Sequence, residues 1–186
     1  MFKSTYPEHI YIHWPFCTSK CVYCDFISFQ DHAGFETDYH KALCSEISVW
    51  ASTLDATTTK PVLTIFIGGG TPSLYPLPLM ADLFSTLRSS FDCSQLKEVT
   101  IECNPSDITE ERLDAWVSLG INRISMGVQI LDDRILELLN RKQRIRDVEK
   151  ALSMIPKYFS NISIDLILGL PGVTKDTWFS TIETVL

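Results

Sequence analysis

Apolar β-branched runs alternate along the chain with longer stretches of helical spacing. His9 to Trp14, Val62 to Ile67, Val99 to Cys103, Arg123 to Val128 and Ser163 to Leu168 read as five strands. The second, Val62-Leu63-Thr64-Ile65-Phe66-Ile67, is nearly continuous in apolar residues, which predicts a parallel strand buried on both faces. Between strands, Met80, Leu83, Phe84, Leu87 and Phe91 recur at helical spacing, and so do Leu113, Trp116 and Val117. Asp107 or Thr109 can cap the second of these helices, and Gly120 can end it in the left-handed conformation. Helical patterns also cover Phe35 to Leu54, Asp132 to Ile155 with a break near Lys142, and Thr174 to Leu186 with Trp178, Ile182 and Val185 on one face.

Parallel strands joined by helices cross over with one hand, so five such units make either an open doubly wound sheet or a partial barrel. In both, ligands gather at the C-terminal ends of the strands. The unusual residues fall at those ends: Pro15 to Cys24, Gly68 to Ser73, Glu102 to Pro105, Gln129, and Gly169 to Gly172. One shared site is expected there.

Composition narrows the function classes. With 45% hydrophobic and 21% charged residues among 186, the chain suits one globular domain. A net charge of -7 disfavours a phosphate-binding surface and hence a nucleic-acid partner. No apolar run is long enough to cross a bilayer, and Met1 to His9 lacks the apolar stretch of a signal peptide, so a cytoplasmic protein is expected. Six cysteines are unevenly spaced: Cys17, Cys21 and Cys24 crowd together, while Cys44, Cys93 and Cys103 lie in or beside apolar patterns and read as small buried hydrophobes.

Cys17-x-x-x-Cys21-x-x-Cys24 puts three thiols on one short loop after the first strand. A structural zinc ion is the rival to a cluster, but it normally takes four ligands, and the nearest fourth, His13, sits in the strand. This spacing, with aromatic Tyr23 before the last cysteine, resembles the signature of the radical S-adenosylmethionine (SAM) superfamily. The resemblance implies a [4Fe-4S] cluster on Cys17, Cys21 and Cys24, with the fourth iron open to SAM. Low-potential clusters held by thiolates supply an electron, and in that family it cleaves SAM to methionine and a 5′-deoxyadenosyl radical.

Further motifs occur in order: Tyr11-Ile12-His13-Trp14-Pro15-Phe16-Cys17, Gly68-Gly69-Gly70-Thr71-Pro72-Ser73, Ile101-Glu102-Cys103-Asn104-Pro105, Ser125-Met126-Gly127-Val128-Gln129 and Ile164-Asp165-Leu166-Ile167-Leu168-Gly169-Leu170-Pro171-Gly172. Together they resemble the oxygen-independent coproporphyrinogen oxidase-like branch. The likeness implies an α/β fold, a partial (β/α) barrel of the radical SAM type, with five strand-helix units visible of an expected six. It implies SAM contacts from Tyr11, Tyr23 at the adenine, Gly69, Gly70 and Thr71 at the methionine amino end, and Glu102, Gln129, Arg141 and Asp165 around ribose and carboxylate. No residue is assigned a catalytic role. Without the resemblance, Arg141 in a charge-rich segment reads as a solvated face, Asp165 in an apolar strand as a group needing a buried partner, His13 as a packed strand histidine, and Asn104-Pro105 as a plain turn.

Within the branch, dehydrogenase-like members carry a cysteine two positions after the third cluster cysteine, where this chain has Phe26. Cys24-Asp25-Phe26 therefore resembles the haem-chaperone members, which bind haem and pass it to acceptor proteins. Against this, chaperone-like members tend to have a histidine after the equivalent of Arg141, and Lys142-Gln143 follows here. Three readings stand: a cluster- and SAM-binding haem-transfer protein, a coproporphyrinogen-oxidising enzyme, and a barrel remnant that binds neither haem nor porphyrinogen. No motif specifies an electron donor. The pattern ends in a helix after the fifth strand, which predicts residues 1–186 to be an incomplete radical SAM core without the family's C-terminal domain.

Overall fold

A computed structural model describes residues 6–30, 34–54 and 60–186. The N-terminal reading therefore lies partly outside the described residues, at Met1 to Thr5. Five strands, β1 (His9–Trp14), β2 (Thr64–Gly69), β3 (Glu98–Cys103), β4 (Arg123–Gln129) and β5 (Asn161–Leu166), alternate with helices. These are α1 (Glu36–Thr53), α2 (Leu77–Ser90), α3 (Glu110–Leu119), α4 (Asp133–Leu138), α5 (Ile145–Met154) and α6 (Lys175–Val185). All four strand pairings are parallel and the order is β1-β2-β3-β4-β5.

That order decides between the two architectures the alternation allowed. Each crossover leads to the next strand, so crossovers of one hand place every connecting helix on the same side and the sheet curls. A doubly wound sheet would reverse its order part-way. The fold is a partial (β/α) barrel.

The two faces of the sheet differ in chemistry. Ile65, Ile67, Val99, Ile101, Ile124 and Met126 are buried and join one hydrophobic core. Alternate positions hold Thr64, Phe66 and Gly68 on β2, Glu98, Thr100 and Glu102 on β3, and Arg123, Ser125 and Gly127 on β4, which the pleat points to the other, concave face. There Arg123 lies 3.5 Å from Glu98 and donates to the Thr100 hydroxyl at 3.3 Å. The expectation that β2 is buried on both faces is corrected: Thr64 and Phe66 are only partly buried, because the concave face forms a polar trough. Its start also moves from Val62 to Thr64, since Val62 donates instead to the Asp92 carbonyl and Leu63 to that of Glu8.

The helices follow the predicted faces. Met80, Leu83, Phe84 and Leu87 of α2 and Leu113 and Trp116 of α3 are buried, whereas Val117 is exposed. Thr109, rather than Asp107, caps α3 by accepting from the Arg112 N–H at 3.2 Å. Asp107 accepts from the Ser73 hydroxyl at 2.7 Å. Gly120, at φ 91°, ends the helix as expected. The helical stretch from Asp132 to Ile155 is two helices, and the break at 139–144 carries much of the site. A second cluster, Ile130, Ile135, Leu136, Leu139 and Leu170, seats α4 beside Tyr23 and Trp178. Among the described residues no helix is long and apolar enough to cross a membrane.

Candidate functional site

β1 runs through buried Trp14 into Pro15 and Phe16, and the cysteine loop begins there. Its far limb is tied back by Phe29, which donates to the Pro15 carbonyl at 2.8 Å and accepts from the Cys17 N–H at 3.0 Å. A tight turn, Cys24 N–H to the Cys21 carbonyl at 3.1 Å, folds the last two cysteines towards one another. Cys17, Cys21 and Cys24 are free, partly exposed, and line one cleft of about 170 Å³. A single buried water needs roughly 15 Å³, so this cleft is about ten times larger than one water requires.

The glycine block forms the adjoining wall. Gly70 donates to the Trp14 carbonyl at 2.7 Å and Thr71 N–H to the Phe16 carbonyl at 2.9 Å, pinning the end of β2 to the start of the loop. A Cβ on Gly70 would stand 2.7 Å from the Pro15 carbonyl carbon, so glycine is required by contact with the chain itself. Gly69, at φ 121°, turns its N–H onto Glu102 Oε2 at 3.1 Å. The Thr71 hydroxyl donates to Cys17 Sγ at 3.3 Å.

Arg141 is the hub of the opposite wall. Its Nη1 donates to the Tyr23 hydroxyl at 2.9 Å and reaches Cys21 Sγ at 3.8 Å. Nη2 donates to Asn104 Oδ1 at 2.8 Å, to the Gly127 carbonyl at 2.7 Å and to Gln143 Oε1 at 2.6 Å, which also accepts from Nε at 3.0 Å. Gln143, 2% exposed, is held in turn by donating to the Val128 carbonyl at 2.8 Å. The break between α4 and α5 makes this possible. Asn140 adopts φ 56° and donates from Nδ2 to the Lys20 carbonyl at 2.8 Å, Val22 N–H reaches the Leu139 carbonyl at 3.2 Å, and Lys142 reaches the Thr18 carbonyl at 3.2 Å. The segment is a clamp on the cysteine loop and not a solvated face.

Burial pushes the Tyr23 hydroxyl up to about 12, although the Arg141 charge and hydrogen bond pull it down, so it remains a phenol at ordinary pH. Burial also raises Glu102 above the usual carboxylate range, offset in part by the Gly69 N–H and reinforced by the Asp165 charge. Gln129 lines the cleft at φ 70°, where the β4–β5 register shifts, a conformation that costs a non-glycine residue roughly 1–3 kcal/mol.

Of the residues expected around SAM, Tyr23, Gly69, Gly70, Thr71, Glu102, Gln129, Arg141 and Asp165 all line this cleft. Tyr11 does not. It lies on the polar face of edge strand β1, bonded to His13 Nδ1 at 3.0 Å, and lines a separate groove between β1 and α1. His13 bonds onward to the Ile27 carbonyl at 2.9 Å, bracing the cysteine loop. Asp165 needs no buried partner. It is exposed on edge strand β5 and accepts from the Ser125 hydroxyl at 3.2 Å. The Gly169–Gly172 turn does not contribute to the cleft, and its Leu170 packs into the second core cluster. Gln143, Asn140 and Lys142 were not expected in the site, and Asn104, expected at its edge, had no assigned role. Asn104-Pro105 reads as a turn in sequence, and only the Arg141 contact gives it a role.

The radical SAM superfamily signature matches residues 11–185. The chain belongs to the radical SAM superfamily. The haem chaperone HemW of Synechocystis is 36% identical over 187 residues, covering 97% of this chain and 44% of that protein. Bovine radical S-adenosyl methionine domain-containing protein 1, described as mitochondrial, is 33% identical over 178 residues, 95% of this chain and 40% of the relative. The coproporphyrinogen III oxidase HemN of Escherichia coli, a radical SAM enzyme, superposes with a TM-score of 0.86 at 30% identity, covering 97% of this chain and 42% of its own. The chain thus spans less than half the length of these relatives.

Membership in the radical SAM superfamily implies a 4Fe–4S cluster and SAM, and the donor set fits both. Hydrogen-bond donors from Thr71 and Arg141 face the sulfurs of Cys17 and Cys21, as suits thiolates that carry cluster charge. Among the described residues, the group of three ligating side chains whose atoms all lie within 4.8 Å of one another is elsewhere, at His40, Cys44 and Asp82. At least one pair of the loop sulfurs therefore lies further apart than 4.8 Å, beyond the roughly 3.8 Å sulfur–sulfur edge of a zinc tetrahedron with Zn–S near 2.3 Å. That spacing disfavours the zinc reading.

Proposed function

We propose that Cys17, Cys21 and Cys24 hold the 4Fe–4S cluster and that the adjoining cleft binds SAM, in the radical SAM core of a longer haem chaperone. The observation that carries the site is the convergence of three free thiols with Gly69–Thr71, Glu102, Gln129, Arg141 and Asp165 on one cleft. When bound, the cluster supplies a low-potential electron and one open coordination position. The chain's own residues hold and orient. Glu102 and Asp165 accept from an ammonium or from ribose hydroxyls, the N–H groups of the Gly69–Thr71 edge frame the amino end, and Tyr23 offers a ring to the adenine. Arg141 fixes Tyr23 and the cysteine loop while presenting positive charge to a carboxylate.

The haem-transfer reading rests on Phe26 in place of a further cysteine and on the likeness to HemW proteins. Phe26, which lines the cleft, and Ile27 and Val22 of the same loop are each at least 70% exposed, an apolar surface suited to a porphyrin or an acceptor protein. A porphyrinogen-oxidising role is the second reading, favoured by the likeness to HemN.

Anaerobic iron–sulfur reconstitution followed by EPR of the reduced protein tests the site. A 4Fe–4S signal that SAM perturbs and Cys21→Ala abolishes is expected; uptake of zinc alone would overturn the assignment. In the full-length protein, haem transfer to an apo-acceptor without carbon dioxide release from coproporphyrinogen is expected, and release of carbon dioxide would establish the second reading instead.

A further inference from the structure

Helices α1 and α2 pack side by side against the outer face of the barrel. His40 and Cys44 lie one turn apart on α1, and Asp82 and Thr86 one turn apart on α2, so each pair shares a helix face. The two faces meet. His40 is only 3% exposed, with Nε2 2.9 Å from Asp82 Oδ2 and 3.6 Å from Cys44 Sγ. The three ligating atoms all lie within 4.8 Å of one another. On its other side, His40 Nδ1 lies 2.8 Å from the hydroxyl of Tyr75, which is fully buried and stacked on Trp14 at 3.8 Å.

We propose that His40, Cys44 and Asp82 form a mononuclear site for a borderline-soft divalent cation of the zinc class, separate from the cysteine loop. A tyrosine–histidine–aspartate chain alone would satisfy both ring nitrogens; Cys44, which bonds Thr86, adds a third ligating atom beside that ring. A tetrahedral ion with Zn–N near 2.0 Å and Zn–S near 2.3 Å has a nitrogen–sulfur edge of about 3.5 Å; Cys44 Sγ lies 3.6 Å from Nε2 but also 3.8 Å from Nδ1, over the ring, so the Cys44 side chain has to rotate to meet an ion on Nε2. The nitrogen–oxygen edge of such a site is roughly 3.4 Å, so Asp82 has to move out by about half an ångström, and its side chain, 65% exposed, is free to do so. Tyr75 supplies the outer-shell contact that fixes the ring of a metal-bound histidine. The exposed side of Asp82 gives an entry path and leaves a fourth position for water.

Proton and charge balance follow from the contacts. Burial raises the Cys44 thiol, with Asp82 adding to the rise and Thr86 opposing it, so the metal-free protein carries a neutral thiol there. Binding releases that one proton. In the bound protein Nε2 presents its lone pair to the ion and the ring proton resides on Nδ1, towards Tyr75. One thiolate and one carboxylate then neutralise a dication.

The test uses the full chain with its cluster reconstituted, equilibrated anaerobically with zinc and desalted. One zinc per chain in addition to the cluster iron is expected. Its X-ray absorption fine structure should show one sulfur at about 2.3 Å with nitrogen and oxygen at about 2.0 Å. Cys44→Ser and Asp82→Asn should each weaken binding by about tenfold or more, since thiolate is the strongest of the three donors for zinc, while iron content and the EPR signal stay unchanged. Asp82→Asn alters an exposed carboxylate and keeps the comparison valid if the cysteine variant misfolds. No retained zinc, equal retention by both variants, or a shell of three sulfurs would overturn the proposal.

Discussion

Gln143 is the residue on which the geometry of Arg141 most depends, and replacing it with leucine measures that dependence. Gln143 Oε1 takes two of the guanidinium bonds, at 2.6 and 3.0 Å, and its Nε2 satisfies the Val128 carbonyl. Hydrogen bonds to a charged group contribute roughly 1.5–3 kcal/mol, and a buried carbonyl left unpaired adds about 1–3 kcal/mol. Leucine returns about 1 kcal/mol through apolar burial, and Arg141 keeps Asn104, Tyr23 and the Gly127 carbonyl, so the net loss is about 3 kcal/mol. For a chain of this size that lowers the melting temperature by roughly 6–12 °C. Circular dichroism of the cluster-free chain reads it directly. Gln143→Glu keeps the acceptor but loses the donor to Val128, and should fall between leucine and wild type. A leucine variant within about 0.5 kcal/mol of wild type, the range of ordinary surface changes, would show that Gln143 does not hold Arg141.

Three further substitutions probe other parts of the site and fold. Gly70→Ala forces the Pro15–Phe16 backbone away by overlap at 2.7 Å; a loss on the order of 2–3 kcal/mol, read in urea unfolding, should accompany reduced iron incorporation. Thr109→Ala removes the α3 cap and should cost about 1 kcal/mol, with iron content and SAM response unchanged, which separates stability from site effects. Glu102→Gln tests the raised carboxylate. Its folded pKa lies above the ordinary 4.5, so the native state keeps a proton that the unfolded chain loses, and stability falls as pH rises from below 4.5 through the raised value. Glutamine removes that fall. The variant should match wild type in acid, exceed it near neutral pH in urea unfolding, and bind SAM more weakly; equal stability at both pH values would refute the burial argument.

The sequence carried the fold where local pattern and burial coincide. The apolar positions of α2, the Gly120 stop and all five strand starts to within two residues follow from periodicity, because those residues face one continuous core. Val62–Ile67 misled on its second face: Phe66 and Thr64 line a trough that closes only through curvature, and curvature depends on strand order, which no local pattern encodes. The cysteine spacing was legible because three ligands of one cluster must share one short loop. The Arg141 clamp was not. Asn104, Asn140 and Gln143 are ordinary polar residues in turn-like segments, and they acquire meaning only when the break after α4 folds 139–144 back onto residues 18–23. A polar side chain that orients another has no required spacing, since its partner is chosen by the fold. Gln143 makes the case: in sequence it marked a departure from the histidine expected beside Arg141, and in the structure its amide meets a guanidinium and a backbone carbonyl at once. A neutral imidazole at that place has one donor and one acceptor, too few to take both Arg141 bonds on separate lone pairs and still pair Val128. The departure is therefore compatible with an intact Arg141 network.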